Sequence, residues 1–362
     1  MTNYSRTVNS QIESLSPTAR IGLGTTGGET ASLVTRREVE CLLNLAGLNG
    51  DSRERARGML MRVFPVLVLD SGVAKSRELR PTFAGDEPER TEFPASYRRL
   101  SCPGGQELLD GADEPPNRHM RRFLQARAEL VQRKSANSEA QSSRLYGAVN
   151  AYADILRIDR RIKMMLRQLR DISNDPAWGA LVELGFPLAD DTFFVEVIGS
   201  GAGGQATSLF VTALVLLNKR LPLSRSSYKI VVDFLSPGFL PAPNEAVSTD
   251  QQVKSKRVLN DLAALKAGGI VEIPHPHGAL SFGGAGARDA FDEIYFHVPR
   301  PSSSDALGSF VSSTADLIVD RSIGPYANEW RTSVSNDPYL VSVPEMFDMA
   351  MVLKGEDEPN VD

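Results

Sequence analysis

Apolar residues along the chain fall into two patterns. Short, dominantly apolar runs occur at Val63-Phe64-Pro65-Val66-Leu67-Val68-Leu69, Phe193-Phe194-Val195-Glu196-Val197-Ile198, Tyr228-Lys229-Ile230-Val231-Val232-Asp233-Phe234-Leu235 and Phe291-Asp292-Glu293-Ile294-Tyr295-Phe296-His297-Val298, with a weaker one at Ala19-Arg20-Ile21. Their length, their β-branched and aromatic content and the Gly, Pro or Ser at their ends predict buried strands. Between them lie helix-like segments at Glu29–Leu45, 118–172, Leu209–Lys219, Asp250–Lys266 and Asp305–Arg321. The clearest periodicity runs through Leu145, Val149, Tyr152, Ile155, Leu156, Ile158, Ile162, Met165, Leu166 and Leu169, where apolar positions recur at three and four. Strands alternating with helices predict an α/β fold with a doubly wound, mostly parallel sheet and right-handed crossovers.

Two of the predicted strands run into glycine-rich stretches about 175 residues apart: Gly22-Leu23-Gly24-Thr25-Thr26-Gly27-Gly28 and Gly199-Ser200-Gly201-Ala202-Gly203-Gly204-Gln205-Ala206-Thr207-Ser208. A strand, glycine loop and helix in succession present unpaired amides at a helix N-terminus, a geometry that binds phosphate. The alternative is a tight turn that lets helix and sheet pack closely. Asp70 closes the second predicted strand, on the side where doubly wound sheets hold ligands. It is placed to orient magnesium, or is a solvated strand end.

Composition is ordinary for a globular chain, with a net charge of −5, so nothing points to broad binding of nucleic acid. Cys41 and Cys102 have no metal-type spacing. His275-Pro276-His277 lacks a third ligand and reads as a loop tip. Arg157, Arg160, Arg161, Lys163, Arg167 and Arg170 share the polar face of the periodic helix and read as a solvated face. The polar residues 1–20 carry no apolar leader, and the longest apolar run, Leu209–Leu217, is too short to span a bilayer. The expected location is the cytoplasm, with any membrane contact made through a partner. A flexible arm is expected over 1–18, a nucleotide-binding domain over 19–335 with an irregular and helical insertion over 73–190, and a C-terminal segment over 336–362. The acidic composition of Gly355–Asp362 predicts disorder there.

The ordered set of motifs resembles the tubulin/FtsZ superfamily, in particular its divergent bacterial tubulin-like members. Gly22–Gly28 resembles the opening phosphate loop, with Thr25 in place of a glycine. Gly203-Gly204 matches the leading pair of the signature loop, whose later glycines are replaced within Gln205-Ala206-Thr207-Ser208. Asp70-Ser71 resembles the acidic end of the second strand. Arg257–Leu265, which includes Asn260, is similar to the helix beyond the fifth strand, Phe291–Tyr295 to the sixth strand, and Ile323-Gly324-Pro325 to the end of the central helix. The resemblance implies GTP or GDP with Mg2+, held by Gly22, Gly24, Thr25, Thr26, Gly27, Gly28, Asp70, Gly201, Ala202, Gly203, Gly204, Gln205, Ala206, Thr207, Ser208 and Asn260. It also implies self-association into a filament or larger complex.

Where the family carries its hydrolytic acids, this chain has Pro325-Tyr326-Ala327-Asn328-Glu329-Trp330-Arg331-Thr332, in which Glu329 is the sole carboxylate. Weak or absent hydrolysis is therefore expected, with Glu329 as the one catalytic candidate. Two other readings stand beside this one. In the first, nucleotide binding is lost and the chain is a scaffold in a bacterial multi-protein system, for defence or at a membrane. In the second, Gly22–Gly28 is a dinucleotide loop; that requires an acid about 20 residues further on, whereas Asp70 lies about 42 residues past Gly28.

Overall fold

The computed structural model describes residues 15–71, 96–99, 144–186, 193–221, 228–236, 245–275, 279–284, 289–298 and 306–323. The elements in chain order are β1 (Thr18–Leu23), α1 (Gly24–Leu45), α2 (Gly50–Val63), β2 (Val66–Asp70), β3 (Ser96–Arg99), α3 (Arg144–Ala153), α4 (Ile155–Arg170), α5 (Pro176–Glu183) after a short 3-10 turn, β4 (Phe193–Ser200), α6 (Gly204–Arg220), β5 (Tyr228–Leu235), α7 (Glu245–Lys266), β6 (Val271–Ile273), β7 (Leu280–Phe282), β8 (Glu293–His297) and α8 (Ala306–Ile323). Six strands form one sheet in the order β3-β2-β1-β4-β5-β8, and every pair in it is parallel. Helices cover both faces, as the α/β expectation required.

Alternation along the strands sorts two unlike layers. Ala19, Ile21 and Leu23 of β1, Val195 and Val197 of β4 and Ile230, Val232 and Phe234 of β5 enter the main core. There they meet Ile158, Ile162 and Leu166 of α4, Leu209, Phe210 and Leu216 of α6 and Val258, Leu262 and Leu265 of α7. Helix α6 is buried on nearly every side because it lies between the sheet, α3 and α7, which explains its unbroken apolar run. The other face is covered by α1 and α8. Its apolar cluster is smaller, joining Ala31 and Val34 to Phe310, Ala315 and Ile318 over Val66, Val68, Ile198 and Leu235.

That second face carries a row of buried charges across four adjacent strands. Arg20 of β1 is fully buried and stands beside Glu196 of β4, its register partner. Its guanidinium donates to Glu196 at 2.7 Å and to the Thr35 hydroxyl at 2.9 Å, and forms an ion pair with Glu38 of α1 at 2.7 Å. Arg321, near the end of α8, reaches Glu196 at 2.9 Å and both oxygens of Asp233 at 2.8 and 2.9 Å, and stacks on the Tyr295 ring at 4.2 Å. His297 meets Asp233 at 2.8 Å. Burial alone would raise the Asp233 carboxyl. The Arg321 charge and the hydrogen bonds from His297 and Arg321 outweigh it and hold the group well below the usual carboxylate range. A second clamp, from Arg37 to the Ser312 carbonyl and hydroxyl and to Asp316, also fastens α1 to α8.

Several boundaries differ from those expected. The helices after the glycine stretches begin at Gly24 and Gly204, not Glu29 and Leu209, so the first stretch is largely helical and the second is helical from its midpoint. A separate helix, α2, precedes β2. Residues 267–289, expected as loop, contain the antiparallel β6–β7 hairpin; Val271-Glu272-Ile273 and Leu280-Ser281-Phe282 alternate, but three-residue strands were masked by the Gly, Pro and His around them. At the N-terminus, Leu15 enters the core, and the Phe194 amide bonds the Pro17 carbonyl at 2.9 Å, so ordered packing begins before residue 18. Residues 1–14, most of 73–143 and the C-terminal segment from 324 lie outside the described residues.

Asp233 is ionised in the folded protein to lower pH than in the unfolded chain. Its contribution is therefore complete above the unfolded value of about 4 and is lost as pH falls below it. Thermal stability should drop below about pH 5 in the wild type, and Asp233→Asn should flatten that dependence while lowering stability at neutral pH. Arg321→Ala removes the bidentate partner of Asp233 and one of the two cations at Glu196, leaving His297 and Arg20 as their remaining partners, and should cost about 3 kcal/mol in urea unfolding at pH 7.

Candidate functional site

The chain turns opposite ways from β1 and β4. From β1 it passes to β2 on one side, and from β4 to β5 on the other, so the crevice beyond the carboxyl ends of these two paired strands is the topological switch point of the sheet. Both glycine stretches lie there. Gly24 has φ +68°, which favours glycine, and a β-carbon on it would lie 3.3 Å from the Ala206 β-carbon. The starts of α1 and α6 therefore touch. Neither helix has a side-chain cap at its N-terminus, and neither has an acidic residue in its first turn. The Gly201 amide is taken by the Leu235 carbonyl, Ala202 by the Ser200 hydroxyl and Thr207 by the Gly203 carbonyl. Helix geometry gives the amides of Gly24–Thr26 and of Gly203–Ala206 no acceptor within their own helices. Two positive helix ends therefore lie side by side at the switch point.

Most of the glycines are also required by packing. A β-carbon on Gly22 would come within 2.6 Å of the Gly28 α-carbon, and one on Gly28 within 2.5 Å of a Val68 methyl. Gly27 backs onto the Ile198 carbonyl, and Gly201 onto the Ser255 hydroxyl and the Phe234 ring. Gly203 differs: it is half-exposed, its backbone is extended, and a side chain there would meet nothing within 4 Å. With Thr25 and Thr26, also half-exposed, it forms the open rim of the crevice.

Side chains in the second stretch are turned away from the crevice. Gln205 donates to the Gly147 carbonyl at 3.1 Å and accepts from Asn150 at 3.0 Å, fastening α3 over the first turn of α6. Gly147 allows this crossing, since a side chain there would strike the Gly204 carbonyl and Ser208. The Thr207 hydroxyl donates to the Gly204 carbonyl at 3.2 Å, and Ser208 to the Gln205 carbonyl at 2.8 Å. Ser208 also lines a cavity of about 260 Å³ with Arg144, Tyr152 and Asp261, on the α3 side of α6. Asn260 is exposed on α7.

Asp70 is buried at the end of β2. One oxygen accepts from Thr25 at 2.8 Å and the other from the Ser71 amide at 2.8 Å. The carboxylate is thus aimed at the first turn of α1. Among the described residues no group of three His, Cys, Asp or Glu could hold a metal. A lone carboxylate beside a hydroxyl fits Mg2+ when the ion is shared with phosphates and water, and does not make a protein cage. Ser255 of α7 was not anticipated. Its hydroxyl is buried beside Gly201 and has no hydrogen-bond partner among the described residues. Nothing in the polar stretch Gln251–Lys256 singles it out by sequence. Glu329 lies outside the described residues. No protein-family model matches the chain, and no curated protein matches it.

Two substitutions separate packing from ligand contact. Gly28→Val should destabilise by at least about 1–3 kcal/mol through overpacking against Val68. Gly203→Ala should change urea-unfolding stability by less than about 0.5 kcal/mol.

Proposed function

We propose that the chain is a tubulin-like guanine-nucleotide-binding protein that assembles into a filament or larger complex. The observation that carries this reading is the meeting of two uncapped helix N-termini, through Gly24 and Ala206, at the switch point of a parallel sheet. Such a pair suits a polyphosphate, because each helix end contributes orphan amides and a partial positive charge. The preference for guanine rests on the resemblance alone.

In this reading the amides of Gly24–Thr26 and Gly203–Ala206 hold the phosphates, and Thr25 and Asp70 face Mg2+ or its waters. The bound nucleotide supplies a hydrolysable phosphoanhydride bond that distinguishes two assembly states. A hydrolytic site needs a positioned water and charge compensation at the γ-phosphate. With Glu329 as the only carboxylate in 325–332, one chain provides little of either, and the water-orienting group would come from a neighbouring subunit.

One set of contacts favours a nucleotide-free scaffold instead. Gln205 is committed to α3, and the glycines at 22, 27, 28 and 201 have packing reasons to be glycine. A dinucleotide enzyme is disfavoured because Asp70 bonds Thr25 in the first turn of α1, where it is not free to meet a ribose.

Titration with labelled GTP and ATP distinguishes these readings. Saturable GTP binding, weakened at least about tenfold (1.4 kcal/mol) by Gly203→Val without loss of fold, is expected. Binding of neither nucleotide at near-millimolar concentration leaves the scaffold. Phosphate release, followed against protein concentration, should be very slow and rise faster than linearly. Brisk turnover proportional to concentration would mean a complete site in each chain.

A further inference from the structure

The outer face of α4 is the most strongly charged surface among the described helices. Arg157, Arg160, Arg161, Lys163, Arg167 and Arg170 are all exposed on it. The acids that face them leave most of this charge in place. Asp154 is buried against Arg157, Asp159 is buried and neutralised by Arg220 of α6, and Asp171 is shared by Arg167 and Arg170. Arg160, Arg161 and Lys163 have no ion-pair partner among the described residues.

Two large apolar side chains stand on the same face: Leu156, expected on the apolar stripe, is 47% exposed because it points away from Ile158 and Ile162, and Met164 is 55% exposed. At 3.6 residues per turn, Leu156, Arg160, Met164 and Arg167 fall within an arc of about 80°. Arg157 and Arg161 flank that arc on one side, Lys163 and Arg170 on the other. The crest is apolar and basic, the shoulders are basic, and the helix runs for about 24 Å. The opposite side of α4 is anchored in the core by Ile158, Ile162 and Leu169, so the face is presented rigidly.

We propose that this face docks directly on an anionic lipid surface. At a bilayer the crest side chains enter the headgroup–acyl boundary while the shoulder cations reach the headgroups. The rest of the chain is acidic, with a net charge of −5 despite this patch, so an anionic surface orients the protein with α4 toward it. Nucleic acid fits less well. The arc offers no aromatic ring for a base to stack on, and two exposed apolar side chains gain nothing against a phosphate backbone. The contact is peripheral, since no described helix is long and apolar enough to cross a membrane. It is independent of nucleotide binding and differs from the expected attachment through a partner.

The test is sedimentation of the full chain with phosphatidylcholine vesicles, with and without phosphatidylserine, at low and high salt. Binding should require phosphatidylserine and weaken with salt. The triple variant Arg160→Glu, Arg161→Glu, Lys163→Glu should reduce partitioning at least about tenfold, since each cation near such a surface contributes several-fold. Leu156→Ser with Met164→Ser should reduce it while keeping the salt dependence. All five side chains are exposed, and an unchanged thermal melt verifies the fold of each variant. Three results would overturn the proposal: no binding to phosphatidylserine vesicles at low salt, binding unaffected by the charge reversal, or binding to a duplex oligonucleotide or an acidic protein but not to vesicles.

Discussion

The structure depends on how closely the first turn of α1 approaches the sheet. Gly27 lies against the backbone of β4, Gly28 against Val68 of β2, and Gly22 against Gly28 itself. No residue with a β-carbon fits any of these contacts as they stand. The approach sets the height of α1 above three strands and brings its N-terminus to the start of α6. The crevice between the two helix ends is thus a consequence of packing. Any anion that binds there uses donors already fixed in place, with little left to order on binding.

The same constraint explains the charges beneath α1 and α8. With α1 held low over β1 and β4, Arg20 has no route to solvent and must be paired where it stands. Glu196, Glu38 and Thr35 do so, and Glu196 passes the pairing to Arg321 and Asp233. Each ion is expensive to desolvate, so the row adds less to net stability than its hydrogen bonds imply. It does fix the register of α8 against β4 and β5, because a shift of one turn would take Arg321 from both Glu196 and Asp233 and leave its own largely buried charge unpaired. The α3 clamp through Gln205 works alike on the far side, holding the first turn of α6 without touching its amides.

The strands and the sheet class were legible because buried parallel strands read as dense apolar runs, and Phe193–Ile198 and Tyr228–Leu235 are such runs. The two glycine stretches were legible as paired and as lying at strand ends. Their role was harder to read: a glycine that admits a phosphate and one that admits a neighbouring backbone look the same in sequence, and only the structure separates Gly203 from Gly27. Arg20, Glu196 and Asp233 interrupt apolar runs as a solvent-facing residue would, and their partners are far away in the chain. Ser255 acquires meaning only because α7 carries it to Gly201. The α4 cations were visible as a stripe, but the exposure of Leu156 and Met164 on the same crest depends on which side of the helix the core takes.

The central claim is that the two helix N-termini hold one polyphosphate between them. Amide hydrogen exchange, read on peptides covering Gly24–Gly28 and Gly203–Ser208 with and without magnesium and GTP, tests it most directly. GTP should slow exchange in both peptides together, with ATP doing so less. Protection in only one of the two, or in neither while GTP is bound elsewhere, would contradict it.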